Sequence, residues 1–171
     1  MAGYSDVKAV TITADTVALD ADGISVAAAV GDNAALVIGG ALASGAVALS
    51  HGRIVTILSA GNDAAKSFTV TGTDVNGDAQ TESITGANAG TATGTKYFLT
   101  ISGISAVGNP AGNVSAGVNG SAADVIFAGR SRLKGIYLTS TATAGTVDFL
   151  NTSPSGTSIM GLSSVGDADA T

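Results

Sequence analysis

The chain has 171 residues and a formal net charge of −6, so it lacks the basic surface that sequence-independent binding to nucleic acid requires. Its length allows one domain or two small ones, each with a buried core. It contains no cysteine, which excludes disulfide bonds and thiolate metal sites.

Residues 1–33 are expected to form an N-terminal arm or edge strands. Residues 7–17 alternate weakly between apolar and polar side chains. Residues 21–30 are rich in alanine, but Gly23 and Gly31 interrupt the run and no apolar stripe of helical period is present. We therefore expect a strand with turns there. The N-terminus lacks the basic and then apolar pattern of a secretory signal, so we expect a soluble chain that is not exported by its own signal.

Residues 34–120 are expected to form the main domain, an antiparallel β-sandwich or barrel. Turn signals recur about every ten residues, which is the spacing typical of these all-β folds. The longest apolar run without charge, residues 34–49, is too short to span a bilayer and is interrupted by glycines. The predicted strands are residues 36–38, 46–49, 53–58, 68–73, 81–85, 96–101, 104–107 and 113–118. Between them we expect turns or loops at residues 51–52, 87–94 and 109–112, and a boundary at 119–123.

The segment of residues 66–86 carries the strongest local signal, which is that of a β-hairpin. Phe68 and Val70 alternate with threonines, the period-2 pattern of a half-buried strand. Asn76-Gly77 then tolerates the positive φ of a tight reversal. Residues 81–85 follow as the returning strand.

Residues 121–171 are expected to form a smaller C-terminal β region. Its expected strands are residues 125–127, 133–140, 146–150 and 157–160, separated by turns rich in Gly, Ser and Thr. Residues 163–171 are polar and add no closing strand, so the second sheet would keep an exposed edge. We expect either a partner chain or residues beyond Thr171 to complete it.

No constellation of residues predicts a catalytic site. His51 is the single histidine and lies in a predicted turn, where we expect it to be solvated. The chain offers no nucleophile–base pair, and its only glutamate, Glu82, is expected to face solvent from a strand. We therefore predict a protein that is not an enzyme and has no cofactor.

Asp74, Asn76 and Asp78 form a weak candidate for a calcium site. They place oxygen-bearing side chains at alternate positions, as a calcium loop does. The pattern departs from such a loop at Ala79, where glycine is expected, and at Thr85, where a bidentate glutamate is expected. Asp and Asn also favour reversals without any metal.

Arg130, Arg132 and Lys134 supply three of the seven basic residues within five positions. Because they alternate within and beside a predicted strand, they would project from one face. This pattern predicts either a solvated strand face or a docking stripe for an acidic neighbour.

The composition also points towards protein contacts. Charged residues make up 12% of the chain, and Thr, Ser, Asn, Gly and Ala must therefore form most of its surface. Such a surface suits a protein that contacts neighbours over much of its area. A Thr-rich β protein from a saline habitat is the alternative interpretation.

Several runs rich in Thr, Gly and Val stand out between about residues 36 and 160. These runs are Arg53 through Gly61-Asn62-Asp63, Phe68-Thr69-Val70-Thr71-Gly72-Thr73-Asp74, Gly94-Thr95-Lys96-Tyr97-Phe98, Gly112-Asn113-Val114-Ser115 and Arg132-Leu133-Lys134-Gly135-Ile136-Tyr137. Although each run carries little information, together they resemble small virion proteins of tailed bacteriophages.

The resemblance implies a structural protein on the outer capsid surface of a virion. We expect a capsid decoration (cement) protein that bridges subunits of the major capsid protein or other virion subunits, forms homo-oligomers, and binds neither nucleic acid nor membrane. A tail component, such as a tube, nozzle or fibre-attachment subunit, is the second hypothesis. A surface carbohydrate-binding module is the third, although the chain has three tyrosines and no tryptophan to stack on sugars.

Overall fold

The computed structural model describes residues 9–11, 19–43, 45–126, 129–130, 132–138, 144–151, 153–154 and 156–164. All regular secondary structure in these residues is β-strand, so the predicted all-β, antiparallel fold is confirmed. No helix in this part of the chain has the length and apolarity needed to cross a membrane. Parts of the predicted segments at residues 7–17, 125–127, 133–140 and 163–171 lie outside the described residues.

The chain divides into two compact units, which are Ile12–Val125 and the pair of segments Met1–Thr11 and Ile126–Thr171. The larger unit contains a six-stranded antiparallel sheet with the strand order β1-β6-β2-β5-β3-β4. Its strands are β1 (Asp20–Ala29), β2 (Val47–Ser59), β3 (Ser67–Thr73), β4 (Ala79–Thr85), β5 (Thr91–Val107) and β6 (Asn113–Ala123). The smaller unit contains an antiparallel pair, β7 (Gly145–Leu150) and β8 (Ser158–Ser164).

The long strand β5 joins the two halves of the six-stranded sheet. Its residues 91–101 pair with β2, and its residues 100–107 pair with β3. The chain after β1 then adds to the second half of β5, because the amide of Leu36 donates to Ile104 O at 2.8 Å and the amide of Ala106 donates to Ala34 O at 2.9 Å.

The core of the larger unit lies between these halves. Every strand of the sheet contributes apolar side chains to it, from Ile24 in β1 to Val118 in β6. The largest buried apolar side chains are those of Phe68 and Phe98, which come from the two strands β3 and β5. Such burial is the main favourable term in folding, at about 25 cal/mol for each Å² of apolar surface removed from water.

The predicted hairpin is confirmed as β3 and β4, which pair in register from Ser67↔Thr85 to Thr73↔Ala79. Phe68, Val70 and Ile84 are buried, and the intervening hydroxyl residues face outwards. Gly77 has a φ of 87°, which a side chain would disfavour. The alternation and the Asn-Gly pair therefore predicted this element for the correct physical reasons.

Three segments predicted as turns, loops or a boundary are wrong, because they lie inside strands. The positions are residues 51–52 within β2, 91–94 within β5 and 119–123 within β6. Gly52 shows why glycine misled the prediction: a Cβ there would lie 2.3 Å from Val75 Cγ1. This glycine permits close packing within a strand instead of reversing the chain.

Three predicted strands are also wrong within the described residues, and the first is the one at residues 125–127, of which residues 125–126 form no strand. Residues 36–38 form no strand, although the neighbouring Ala35 makes an isolated bridge to Ser105. Residues 132–138 have no strand or helix at all, so Arg132 and Lys134 do not share the face of a strand within this chain. Leu36 makes a single backbone hydrogen bond to β5, and apolar β-prone residues form a strand only where such bonds continue along a ladder.

Gly117 of β6 provides a test of how closely the backbone of β1 approaches β6. A Cβ at Gly117 would lie within 2 Å of Asp20 O, whereas nothing lies within 4 Å of one built at Gly120 in the same strand. We expect Gly117→Ala to lower the free energy of unfolding by about 2 kcal/mol or more, because β1 must move. Gly120→Ala should change it by less than about 1 kcal/mol. Urea denaturation measures both, and equal effects would contradict this packing.

Candidate docking surfaces

An uncharged surface covers the outer side of β4, β3 and β5. Strand pairing places three rows side by side there, and we call these residues the hydroxyl face. Its members alternate with buried Phe68, Val70, Ile84, Ile104 and Ala106. The three rows are Thr85, Ser67 and Val107; Ser83, Thr69 and Ser105; and Thr81, Thr71 and Gly103.

The chemistry of the hydroxyl face favours contact with another surface over catalysis. It carries no charged side chain, so covering it requires no removal of an ion from water. Each hydroxyl can both donate and accept a hydrogen bond, which allows it to match varied polar partners. Seven of the nine positions are hydroxyl residues with short side chains that lose little rotamer freedom on burial.

Glu82 in β4 does not face solvent as predicted, because its carboxylate reaches back to β5. Glu82 Oε1 accepts hydrogen bonds from the amide of Thr95 at 2.6 Å and from the Thr95 hydroxyl at 2.9 Å. Gly94 leaves room for this carboxylate, since a Cβ there would lie 2.6 Å from Glu82 Oε2. Glu82 therefore satisfies amides of β5 that lie beyond the end of β3.

His51 is paired and partly buried, so its prediction as a solvated turn residue is wrong. It lies within β2, and its Nδ1 is 2.5 Å from Asp124 Oδ2, just after β6. The two side chains are 13% and 29% exposed. The pair joins β2 to Asp124, the residue after the end of β6.

The calcium candidate is organised as a turn. Asp74 Oδ1 accepts hydrogen bonds from the amides of Asn76 at 2.8 Å and Asp78 at 3.0 Å. The side chain of Asn76 donates to Asp74 Oδ2 at 3.4 Å. Among the described residues no group of three or more His, Cys, Asp or Glu side chains is placed to hold a metal ion. The turn thus accounts for the Asp and Asn residues by itself.

These contacts shift the ionisation of Asp74. Slight burial raises the pKa of its carboxyl, but hydrogen bonds from the Asn76 and Asp78 amides and the Asn76 side chain outweigh that effect. The pKa of Asp74 is therefore lower than its ordinary value of 3.8. The ionised carboxylate stabilises the hairpin as a consequence.

The three predicted docking residues Arg130, Arg132 and Lys134 are all exposed. They lie in the smaller unit, beside an exposed segment with four apolar side chains at Leu133, Ile136, Tyr137 and Leu138. The basic and apolar groups are thus adjacent, although no strand holds them in this chain. Their binding to an acidic neighbour stays a prediction.

Sequence patterns missed Asp63, which is fully buried between three loops. Its Oδ1 accepts a hydrogen bond from the amide of Ala111 at 2.7 Å, and its own amide donates to Ala87 O at 2.9 Å. The loops that follow β2, β4 and β5 are therefore tied together at one end of the sheet. An Asp within Gly61-Asn62-Asp63 resembles any turn residue, so no local signal distinguishes it.

Asp74→Ala should reduce the free energy of unfolding at neutral pH by about 1 kcal/mol, because backbone amides in the turn lose their acceptor. The stabilisation from an ionised group with a lowered pKa is present above its unfolded pKa and is lost as pH falls through the folded pKa. The difference between wild type and variant should therefore shrink below about pH 4.

Asp78→Ala is the matched control for this pH series, because Asp78 contributes its backbone amide to the turn. Chemical denaturation of the three proteins between neutral and acidic pH measures the effect. A penalty for Asp74→Ala that is independent of pH, or an equal penalty for Asp78→Ala, would contradict the role of the Asp74 carboxylate.

The contact between His51 and Asp124 should show measurable coupling in a double-mutant cycle. We expect His51→Ala, Asp124→Ala and the double variant to give a coupling free energy of about 0.5–1 kcal/mol at neutral pH, since the pair is only partly shielded from solvent. Thermal or urea unfolding provides the values. Strict additivity would show that the contact does not hold the end of β6.

Comparison with protein-family models, curated protein sequences and solved structures returned no match. The described geometry and the sequence pattern are therefore the basis for any functional inference. Both indicate surfaces for contact, namely the hydroxyl face of the larger unit and the exposed basic and apolar segment of the smaller one.

Proposed function

We propose that this chain is a structural subunit of a tailed-phage particle, and specifically a capsid decoration protein that contacts the major capsid protein from outside. It acts by covering and bridging neighbouring subunits and uses no reactive group. The sequence resemblance suggests this class, and the hydroxyl face is the structural observation that carries the proposal.

The hydroxyl face fits this role energetically. An uncharged surface of Ser and Thr can be buried against a neighbour without the cost of stripping water from ions. A single contact of this kind is weak, but a lattice presents many identical sites, and linked contacts strengthen one another through avidity. A decoration protein needs this combination, because it must attach after the lattice has formed and then hold it.

The charge balance supports an external position. The chain carries 13 acidic and 7 basic residues, so its field repels nucleic acid packaged inside a capsid. It would bind instead to neutral or basic protein surfaces on the outside of the particle. The same balance argues against an inner capsid layer.

Labelled protein added to intact particles tests the location. We expect electron microscopy with a gold-labelled antibody to show label over the outer surface of the heads and bare tails. Label confined to tails would replace this proposal with that of a tail component. Strong binding to a glycan array, together with no binding to particles, would replace it with that of a carbohydrate-binding module.

Variants of the hydroxyl face test the mechanism. Thr71→Lys/Ser83→Lys should weaken binding to heads by about tenfold or more, because two buried charges would then need desolvation. Ala64→Lys/Ala65→Lys adds the same charge at exposed positions outside this face and should leave binding unchanged. Unfolding free energies of all variants should agree within about 1 kcal/mol, since the positions are on the surface. Equal binding of both double variants would contradict the role of the face.

A further inference from the structure

Within the described part of the chain, another segment covers only the first half of the outer edge of β1. The amides of Gly39 and Gly40 donate to Ile24 O, and that of Leu42 donates to Gly23 O, so this loop covers the edge only as far as Ile24. Residues 26–29 lie beyond the loop, and all four are exposed. Their sequence, Val-Ala-Ala-Ala, contains no lysine, proline or inward charge of the kind that protects natural sheet edges from pairing.

The opposite edge of the sheet, β4, has such protection. Glu82 is a charged residue on the same side of β4 as the buried Ile84, and its carboxylate is bound by β5. The ammonium group of Lys96 donates to Thr81 O in β4 at 2.8 Å. Among the described strands of this sheet, the two edges therefore differ, and β1 is the one open to an added strand.

The exposed segment of residues 132–138 has the properties of a strand without a partner. It combines Ile136, Tyr137 and two leucines with the small residue Gly135, and every position is exposed, with Tyr137 at 91%. Sequence analysis predicts a strand here, yet the isolated chain forms none. A strand of this composition gains stability when an existing edge supplies backbone hydrogen bonds and its apolar side chains become covered.

We propose that residues 132–138 of one copy add as a strand to the outer edge of β1, at residues 26–29, in a second copy of this chain. The inference goes beyond the proposed function, because it concerns how copies join one another and holds wherever the protein is located. The contact unites two different patches, so it is a head-to-tail contact that closes into a ring when the rotation between copies permits.

Charge complementarity identifies a second copy as the occupant. Around β1 there is no Lys or Arg from residue 9 to residue 52, while Asp32 follows the open edge by three residues and Asp20 and Asp22 lie earlier in the same strand. Around the added segment there is no acidic residue between Asp124 and Asp148, and Arg130, Arg132 and Lys134 are exposed. One contact between copies would therefore give the open edge of β1 a partner strand and bring the acidic residues near β1 close to the basic residues of the added segment. The attraction between these charges would also raise the association rate.

Cysteine scanning tests the geometry directly, because the natural chain has no cysteine. Tagged Ala28→Cys protein is mixed with untagged chains that each carry one cysteine at a position from 133 to 138, and the mixtures are oxidised. Disulfides require Cα atoms about 4.4–6.8 Å apart, so only near neighbours react. We expect disulfide-linked pairs of tagged and untagged chains, with yields that rise and fall at every second position, because side chains alternate across a strand.

Charge exchange tests the partner. Arg132→Glu/Lys134→Glu should weaken self-association by about tenfold or more in analytical ultracentrifugation, and Asp22→Lys/Asp32→Lys should do the same. A mixture of the two double variants should associate again, because each supplies the charge that the other lost. Raising the salt concentration should weaken the wild-type contact and the restored contact alike.

The outcomes separate the possibilities. Monomers at all accessible concentrations, cross-linking yields without alternation, or no recovery in the mixture of charge variants would each overturn the proposal. Cross-links that form within one chain carrying both cysteines, but never between chains, would also overturn it. None of these results depends on binding to phage particles, so failure here leaves the proposed function intact, and the reverse also holds.

Discussion

The fold depends on the ability of β5 to pair with different strands along its length. At Thr100 and Ile101 the strand has partners on both sides, since Ile101 pairs with Val47 of β2 and also with Gly72 of β3. A Cβ at Gly72 would lie within 2 Å of Thr100 O, so only glycine allows the two backbones to meet there. The register shifts at this point, which bends the sheet so that both halves cover one core.

This junction explains how a chain with few aromatic residues builds a core. The two halves of the sheet bring medium-sized side chains, largely Val and Ile, into contact around Phe68 and Phe98. Burial on one face leaves the alternate positions of β3, β4 and β5 for Thr and Ser, because successive side chains in a strand point to opposite sides. The hydroxyl face is thus the outer counterpart of the core, and the same alternation produces both.

The sequence predicted those features that depend on neighbouring residues in the chain. The hairpin of β3 and β4 follows from alternation and from Asn76-Gly77, and its prediction is confirmed. Glycines elsewhere were mistaken for turns, because a sequence window does not show what lies opposite a residue in space. A side chain at Gly52 would collide with that of Val75, and Gly94 makes room for the carboxylate of Glu82. Both are inside strands, where the absence of a side chain serves packing.

The candidate surfaces were predictable only in part for the same reason. The Thr-rich alternation of β3 indicates an outward polar row, but it does not reveal that β4 and β5 place matching rows beside it. Asp63 and the pairing of His51 with Asp124 depend on contacts between distant segments. Residues 132–138 show the converse case, since their local β preference is clear and no described strand supplies them with a hydrogen-bonding partner.

The two surfaces use different chemistry and share no residue, so occupation of one does not exclude occupation of the other. In the proposed contacts, the hydroxyl face would bind through side chains, and its specificity would depend on which hydroxyls find partners. The open edge of β1 would bind through backbone groups, and its specificity would depend on charge and on the apolar side chains of the added strand. A subunit with both contacts would join its own kind through the edge while the face contacts a different protein. Under that proposal the contrast between the two edges of the six-stranded sheet has a physical reason: Glu82 and Lys96 protect β4, whereas residues 26–29 of β1 are left open for one partner.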